Sequence, residues 1–252
     1  MSADPAARRA ELAAALTEVR ARLDRAATAA GRDPAEITLL PVTKFFPATD
    51  VVALYELGCR DFGESREQEA SAKIADVGAA VSGPTAEPIR WHMIGRIQRN
   101  KAKAVSRWAY AAHSVDSAKV IAALDRGASA ALEDGVRTAP LRIYLQLSLD
   151  GDTERGGVDV DASGLLDDLC GAVEAAPALD FVGFMAIPPL GAEPAAAFAR
   201  LRDERDRVQP CYTQRLELSA GMSGDLEAAV QHGSTCVRVG TALMGQRPLA
   251  SP

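Results

Sequence analysis

A lysine at the end of an apolar run is the residue best placed for covalent chemistry in this sequence. Lys44 directly follows residues 37–43 (ITLLPVT), so its amine projects from a strand end rather than from a solvated helix face. A neutral lysine amine can attack an aldehyde and form a Schiff base. Two alternatives stay open at this point. Lys44 could be an exposed lysine that ends a strand, or the partner of a nearby carboxylate such as Glu64.

Two segments rich in small residues could bind phosphate. They read SAGMSG at 219–224 and GTALMG at 240–245, and each opens toward a predicted helix start. Glycines let backbone N–H groups approach an anion, hydroxyls add donors, and the positive end of a helix favours a phosphate. The alternative is that small residues make tight turns at both places.

Arg238 is the third candidate, because it lies between two valines in the last predicted strand. Period-two alternation sends its guanidinium to the side opposite Val237 and Val239, into a barrel or its mouth. A buried arginine needs an acceptor, which could be a ligand atom, a backbone carbonyl or a carboxylate. A purely structural ion pair is therefore the alternative to ligand binding.

Alternating strands and helices must position these residues. An amphipathic helix is expected from Pro5 to about Ala30, with Asp4 as its N-cap and Gly31 just beyond its end. Apolar runs predict strands at 37–43, 60–63, 90–94, 109–114, 141–149, 179–186, 215–219 and 236–240. Helical patterns fall between them, at 49–57, 65–77, 98–108, 117–133, 162–175, 194–208 and 224–232. Strict alternation predicts parallel strands, because each return to the same sheet edge needs a crossover helix.

Eight such units are the number that closes a barrel. The rival fold, an open doubly wound sheet, normally has a Gly-rich turn after its first strand. Here KFFP follows the first strand, and the glycines follow the last two. We predict an α/β fold, a single-domain (β/α)₈ TIM barrel over residues 1–252, with the extra helix at about 5–30 and the barrel at about 37–247. Segments 219–224 and 240–245 then follow strands seven and eight, where this fold commonly binds phosphate.

Composition excludes several other classes of protein. The net charge of −6 disfavours a nucleic-acid surface, and 48% hydrophobic with 25% charged residues is ordinary for a globular chain. The four cysteines form no C-x-x-C pair, which fits neither a zinc site nor a disulfide scaffold, and we find no metal-ligand cluster. No run is long enough to span a membrane, and the N-terminus is charged where a signal peptide would be apolar. We expect a cytoplasmic protein that binds no membrane.

An ordered series of segments closely resembles the pyridoxal phosphate homeostasis proteins, also described as the YggS/PROSC-type family. The resemblance covers roughly residues 10–247 and implies a fold type III barrel, like the N-terminal barrel of alanine racemase. The segments are PVTK (41–44), RDFGE (60–64), QE (68–69), WHMIGRIQRNK (91–101), HSVDS (113–117), FMAIP (184–188), LSAGMSGD (218–225) and VRVGTALMG (237–245).

The resemblance implies pyridoxal 5′-phosphate (PLP) as cofactor and a role for each candidate residue. Lys44 matches the lysine that forms a Schiff base with PLP, and Arg238 matches the arginine that faces the pyridine nitrogen. The phosphate positions are Ser219, Gly240 and Thr241, with Met222 and Ser223 in the same glycine-rich segment.

The chain departs from the family pattern at two positions. Ser65 stands where the family usually has Asn in F-G-E-N. The contact that the Asn amide makes with the cofactor must therefore be made by the shorter Ser hydroxyl, be replaced by water or be lost. Ala220 stands where the family usually has the first Met of S-M-G-M-S, which removes bulk near the phosphate loop. Both changes could alter PLP affinity.

The resemblance favours PLP binding over turnover, so we expect no catalytic residue. Racemases of this fold use a tyrosine from an added domain as a second base, and this chain ends shortly after the barrel with no obvious substitute. The expected function is storage, buffering or delivery of PLP, which affects amino-acid and keto-acid metabolism, by a monomer that could meet PLP-dependent apoenzymes. The alternatives are a low-activity PLP-dependent amino-acid racemase and a phosphate-binding barrel enzyme without PLP.

Overall fold

Eight parallel strands follow one another around a barrel in a computed structural model, which describes residues 4–83 and 86–247. The two-residue strand β6 (Val158–Asp159) pairs with β5 outside this series. The barrel strands are β1 (Thr38–Pro41), β2 (Asp61–Glu64), β3 (Arg90–Met93), β4 (Ala111–Val115), β5 (Leu141–Ser148), β7 (Leu179–Ala186), β8 (Glu217–Ser219) and β9 (Cys236–Val239).

The strand order β1-β9-β8-β7-β5-β4-β3-β2 brings the first and last strands together. Strand β1 pairs with β9 over its whole length, with Leu40 opposite Arg238. Strands β1 and β2 meet through one bridge, between Val42 and Gly63, beside which the Thr43 N–H donates to the Gly63 carbonyl at 3.0 Å. The barrel is therefore nearly closed, and the predicted (β/α)₈ fold is confirmed.

The helices connect the strands as the alternation predicts. Helix α1 starts at Pro5 with Asp4 as its N-cap, the Asp4 side chain accepting from the N–H of Ala6 at 3.2 Å, and Gly31 follows its end with φ +65°. The helices are α1 (Pro5–Ala29), α2 (Ala48–Glu56), α3 (Glu67–Ala80), α4 (Ala102–Trp108), α5 (Ala118–Glu133), α6 (Ser163–Glu174), α7 (Pro194–Val208), α8 (Leu226–Gln231) and α9 (Thr241–Met244).

Helix α1 covers one side of the barrel. Its apolar stripe of Leu12, Leu16, Val19 and Leu23 is at most 5% exposed and belongs to the same core as the apolar residues of α2, α8 and α9. A second core fills the space between β3–β8 and helices α4–α7. The helix layer thus fixes the strand ends that carry the candidate site.

Several local features complete the comparison with the sequence. The loop between β5 and α6 contains β6 near its end. Residues 84, 85 and 248–252 fall in none of the predicted strands or helices and lie outside the described residues. Cys59, Cys170, Cys211 and Cys236 are free thiols. Among residues 4–83 and 86–247, no helix is long and apolar enough to cross a membrane.

Candidate functional site

Lys44 lies in the turn that follows β1, at the carboxyl end of the barrel. It is half-buried, and its Nζ is 5.9 Å from the ring centroid of Phe45. Phe45 has φ +70°, which is uncommon for a residue other than glycine, so this turn holds an unfavourable backbone conformation. The guanidinium of Arg247 lies over the same ring at 3.8 Å. Lys44 therefore projects into a cationic, partly aromatic surrounding.

Glu64 does not pair with Lys44. Its Oε1 accepts from Lys73 Nζ at 2.6 Å and from the Thr43 hydroxyl at 2.7 Å, behind the barrel wall. Lys73 Nζ also donates to the Thr43 carbonyl at 2.8 Å. No ion pair involves Lys44 within residues 4–83 and 86–247. The sequence left open an ion pair between Lys44 and Glu64, and the structure does not form it.

The loop after β8 needs glycine at position 221. Gly221 has φ +91°, and a Cβ added there would lie 2.5 Å from the Cβ of Ala229 on α8. Asp225 fixes the next residue, since its Oδ1 accepts from the Met222 N–H at 2.6 Å. Met222 and Ser223 are thereby held, half-buried, where the loop turns into α8.

The loop after β9 joins this first loop. The Ser223 hydroxyl accepts from the N–H of Ala242 at 3.1 Å, which ties the start of α9 to segment 219–224. Gly240 passes close to β1, because a Cβ there would lie 3.7 Å from the Cβ of Val42. Within the described chain, no backbone acceptor takes the N–H of Ser223, Gly240 or Thr241. These donors are available to an anion between the two loops.

Arg238 lies inside the barrel, below the two loops. It is 5% exposed, and its Nη1 donates to the carbonyl of Ser219 at 2.5 Å and to the Ser219 hydroxyl at 2.7 Å. Its Nη2 donates to the carbonyl of Ala186 at 2.9 Å. A guanidinium has five N–H donors, so two remain beyond these three bonds. Burial lowers the pKa of Arg238, but an arginine stays protonated.

Ser219 is fully buried, and its hydroxyl already has two partners. Besides Arg238, it contacts Nδ1 of His113 at 2.8 Å. The resemblance assigns Ser219 to the phosphate, whereas the structure places its hydroxyl beneath the loops, bonded to the arginine. The hydroxyl therefore lies within hydrogen-bond distance of Arg238 and His113, and its contact with a phosphate stays a prediction.

The barrel topology brings the predicted residues together. Lys44, Ser219, Arg238 and the two loops lie at the carboxyl ends of the adjacent strands β1, β9 and β8. Ser65 follows β2, which adjoins β1 through the bridge at Gly63. Every predicted site residue thus lies at one end of four neighbouring strands.

Comparison with known proteins places the chain among relatives of the same length. The family model for the alanine racemase N-terminal domain matches residues 15–248. The chain is 55% identical, over the full length of both chains, to the Pyridoxal phosphate homeostasis protein of Mycobacterium tuberculosis strain H37Rv. The Escherichia coli K12 protein of the same name is 34% identical over 94% of this chain and 97% of that chain. The chain belongs to the pyridoxal phosphate homeostasis family.

Solved structures extend this family likeness to three dimensions. PipY of Synechococcus elongatus, in its structure with PLP bound, is 32% identical with a TM-score of 0.76, covering 93% of this chain and all of PipY. Alanine racemase of Corynebacterium glutamicum is 15% identical with a TM-score of 0.65, and the match spans 60% of that enzyme. The second likeness shows that the homeostasis family shares its barrel fold with alanine racemases.

The residues present fit the PLP of the homeostasis family. An aldehyde needs an amine, a phosphate needs several N–H or O–H donors, and a pyridine nitrogen needs one donor. Lys44 supplies the amine, the free N–H groups of Ser223, Gly240 and Thr241 supply donors for a phosphate, and Arg238 retains N–H groups for the ring. In the described part of the chain, His, Cys, Asp and Glu form no group of three that could hold a metal ion.

Ser65, where the family usually has Asn, lines a cleft of about 440 Å³ beside the site. The walls of this cleft include Arg66, Arg96 and Lys101, of which Lys101 pairs with Glu67 at 3.5 Å. The backbone of Gly95 presses against that of Ser65, since a Cβ at Gly95 would overlap the Ser65 carbonyl. The shorter serine side chain therefore stands in a fixed backbone position at the mouth of the barrel.

Two buried histidines support the site from inside the barrel, and the sequence did not predict this role. His92 and His113 lie in the predicted strands 90–94 and 109–114, and in the structure each makes two side-chain hydrogen bonds and both point into the barrel. Alternation in RWHM and AAHSV predicts which side they face. No pattern in the sequence could have predicted that the two histidines meet, because β3 and β4 place them together only when paired.

Proposed function

We propose that this protein binds PLP at the mouth of the barrel, covalently on Lys44, and acts in PLP homeostasis as a store, buffer or carrier. The observation that carries the proposal is the convergence of a half-buried lysine, two loops with free N–H groups, and a buried arginine at adjacent strand ends. The PLP-bound structure of the 32% identical PipY supports it.

The residues divide the work of binding. PLP supplies an aldehyde carbon and an electron-withdrawing ring. The Nζ of Lys44 condenses with the aldehyde, so that a carbon–nitrogen double bond forms and water leaves. The N–H groups of Gly240 and Thr241, with Ser223, bind the phosphate oxygens, and Met222 shapes the loop that contains Ser223. Arg238 donates to the pyridine nitrogen and disfavours a proton there, because the guanidinium does not deprotonate.

The tyrosines support binding rather than turnover. A racemase needs a second base opposite the lysine. Burial raises the pKa of Tyr144 well above its usual range, and its hydroxyl donates to Glu217, the first residue of β8, far from the mouth. The other three lie outside the site: Tyr55 bonds Glu87, Tyr110 lies near Arg90 and Arg142, and Tyr212 packs on Phe181.

The cellular setting follows from the same chemistry. Four free thiols support a reducing compartment, so we place the protein in the cytoplasm. A carrier of PLP has PLP-dependent apoenzymes as its natural partners. We propose a monomer that binds neither nucleic acid nor membrane, consistent with the net charge of −6.

Visible absorption of the purified protein tests the proposal. Wild type and Lys119→Ala, which changes an exposed lysine on α5, should take up added PLP with a new visible band that Lys44→Ala lacks. A colourless wild type after PLP addition and dialysis would contradict PLP binding. Chiral analysis with a panel of amino acids tests the alternative, a low-activity amino-acid racemase. Turnover that is lost in Lys44→Ala would show an enzyme.

A further inference from the structure

A continuous chain of hydrogen bonds crosses the barrel interior beneath the site. His92 joins Asp61 (Nε2 to Oδ1, 3.0 Å) to His113 (Nδ1 to Nε2, 2.9 Å). His113 then reaches the Ser219 hydroxyl (Nδ1 to Oγ, 2.8 Å), which accepts from Arg238 Nη1 at 2.7 Å. All five side chains are buried, and none is more than 8% exposed. The chain therefore links Asp61, at the amino end of β2, to Arg238, which lies beneath the carboxyl ends of the strands. We call these two ends of the barrel its floor and its mouth.

The two ends of this chain, together with neutral histidines, fix the direction of every hydrogen bond. The carboxylate of Asp61 can only accept, so His92 carries its proton on Nε2 and, when neutral, accepts at Nδ1. The donor to Nδ1 of His92 is Nε2 of His113, which therefore carries the proton of that ring. Nδ1 of His113 is then an acceptor for the Ser219 hydroxyl. Arg238 can only donate, and the Ser219 oxygen accepts from it. All four bonds thus point from Arg238 toward Asp61 with both histidines neutral.

The surroundings keep the pair of histidines neutral. Burial lowers the pKa of His92, although Asp61 opposes the shift, and it lowers the pKa of His113 well below its usual value, with the charge of Arg238 adding to the effect. The Tyr144 ring stacks on His113 with 4.3 Å between centroids. The other titratable or charged groups that face this interior are Arg90, Tyr110, Arg142, Glu217 and Cys236.

We infer that His92 and His113 are positioning residues that hold the Ser219 hydroxyl as an acceptor for Arg238, and so aim the guanidinium at the cofactor ring. The inference rests on the proposed function, because it concerns how PLP meets Arg238. It assigns Ser219 to the arginine and leaves the phosphate to the loops after β8 and β9. Ser219 is then a supporting residue of the site rather than a ligand.

Nitrogen NMR of the histidines tests the chain without any cofactor. The sequence has only three histidines, so His92→Gln, His113→Asn and His232→Gln assign all signals of the ¹⁵N-histidine-labelled protein. We expect His92 and His113 to be neutral near pH 7, each protonated on Nε2 and bare on Nδ1. A proton on Nδ1 of either residue, or a charged pair, would overturn the inference whether or not PLP binds.

Two substitutions at one position test the link to the cofactor. His113→Asn places an oxygen where Nδ1 was and still accepts from Ser219, whereas His113→Gln reaches toward His92 and loses that acceptor. We expect His113→Gln to bind PLP roughly tenfold more weakly, the size of one hydrogen bond to a charged group, and to shift the visible band. His113→Asn should stay within about threefold of wild type in affinity and keep its band.

Circular dichroism and thermal melting confirm that each variant is folded before titration. If wild type binds PLP and His113→Gln binds it with the same affinity and the same band, the positioning role is overturned while the proposed function stands. If His113→Asn is impaired as much as His113→Gln, the Ser219 contact is not what matters, and the inference fails as well. If wild type binds no PLP, the proposed function fails, and the NMR result still decides whether the hydrogen-bond chain exists.

Discussion

Two lysines near the same strand ends have opposite environments. Lys73 is 9% exposed, and its Nζ donates to Glu64 Oε1 at 2.6 Å, so its charge balances that of a buried carboxylate. Lys44 is half-buried and makes no ion pair with the described residues. A lysine that stabilises a buried carboxylate must stay protonated, whereas a nucleophile needs a neutral amine. Both residues are lysines, so the residue type does not distinguish the two roles. The presence of Glu64 beside Lys73, and of no carboxylate beside Lys44 among the described residues, does.

Removal of Lys73 should therefore be costly. Lys73→Met leaves the carboxylate of Glu64 buried, with Oε2 already lacking a partner, and we expect the free energy of unfolding to fall by about 3–5 kcal/mol. Urea denaturation measures the change. The double variant Lys73→Met/Glu64→Gln should recover most of it, and Lys44→Met should cost less than about 1 kcal/mol. Equal losses in Lys73→Met and Lys44→Met would contradict this account.

At the scale of elements, helix α1 holds the two loops of the site. Arg22 makes a bidentate pair with Glu227 on α8, both distances 2.9 Å, and Nη1 donates to the carbonyl of Ser223 at 3.2 Å. Near the other end of α1, Arg8 donates to Asp50 at 2.8 Å and to the carbonyl of Met244 at 2.9 Å. The helix that precedes the barrel is thus part of the support for the loops after β8 and β9.

Loss of the Arg22 contacts should loosen the loop after β8. We expect Arg22→Gln to weaken PLP binding roughly threefold, because a half-exposed ion pair contributes under about 1 kcal/mol. Arg25→Gln, which changes an exposed residue on the same helix, should match wild type. Fluorescence titration with PLP measures both affinities. A loss of affinity in Arg25→Gln as large as in Arg22→Gln would rule out a specific role for the loop contact.

Most elements of the barrel could be predicted from the sequence, because apolar runs and helical periods alternate without interruption. Helix starts were less predictable: α3 begins at Glu67 rather than Ser65, and a 3₁₀ turn at Arg99–Lys101 precedes α4. Strand β6 was missed, since two residues carry no periodic signal. For the site, alternation predicted that Arg238 faces inward, but its partners at Ser219 and Ala186 depend on how the strands close.

At the scale of the whole molecule, the barrel interior changes character from floor to mouth. The floor carries ion pairs, Arg90 with Asp61 and Arg142 with Glu217, each at 2.5 Å. Above them lies the layer with the two histidines, and the mouth has the loops and Lys44. The hydrogen bonds from His92 and Arg90 outweigh the effect of burial and hold the pKa of Asp61 below its usual value. The stability of a polar interior of this kind depends on a hydrogen-bond partner for every buried polar group.

The neutral histidines should make the fold sensitive to mild acid. Above about pH 7.5 His92 and His113 are neutral in both the folded and the unfolded chain, so their contribution to the free energy of unfolding is constant. Below that pH the unfolded chain takes up protons that the folded protein resists, because burial lowers the pKa of both residues. The free energy of unfolding should therefore fall with decreasing pH, by up to about 1.4 kcal/mol per pH unit for each histidine.

Urea denaturation between about pH 7 and pH 5 measures this slope. The variant His113→Asn should lose up to about 1.4 kcal/mol per pH unit less than wild type, with the largest difference toward about pH 5. Because the pKa of Asp61 is lowered, its protonation reduces the free energy of unfolding only below about pH 4. It therefore does not affect the slope measured between about pH 7 and pH 5. Identical slopes in wild type and His113→Asn would show that His113 takes up protons in the folded state.

Borohydride reduction of the PLP-loaded protein, followed by peptide mass mapping, identifies the residue that holds the cofactor. Reduction turns the carbon–nitrogen double bond between lysine and cofactor into a stable single bond, so the modified residue can be identified. The sequence has five lysines, at positions 44, 73, 101, 103 and 119. We predict one pyridoxyl group per chain, on Lys44. A pyridoxyl group mainly on another lysine, or none after loading, would contradict the account.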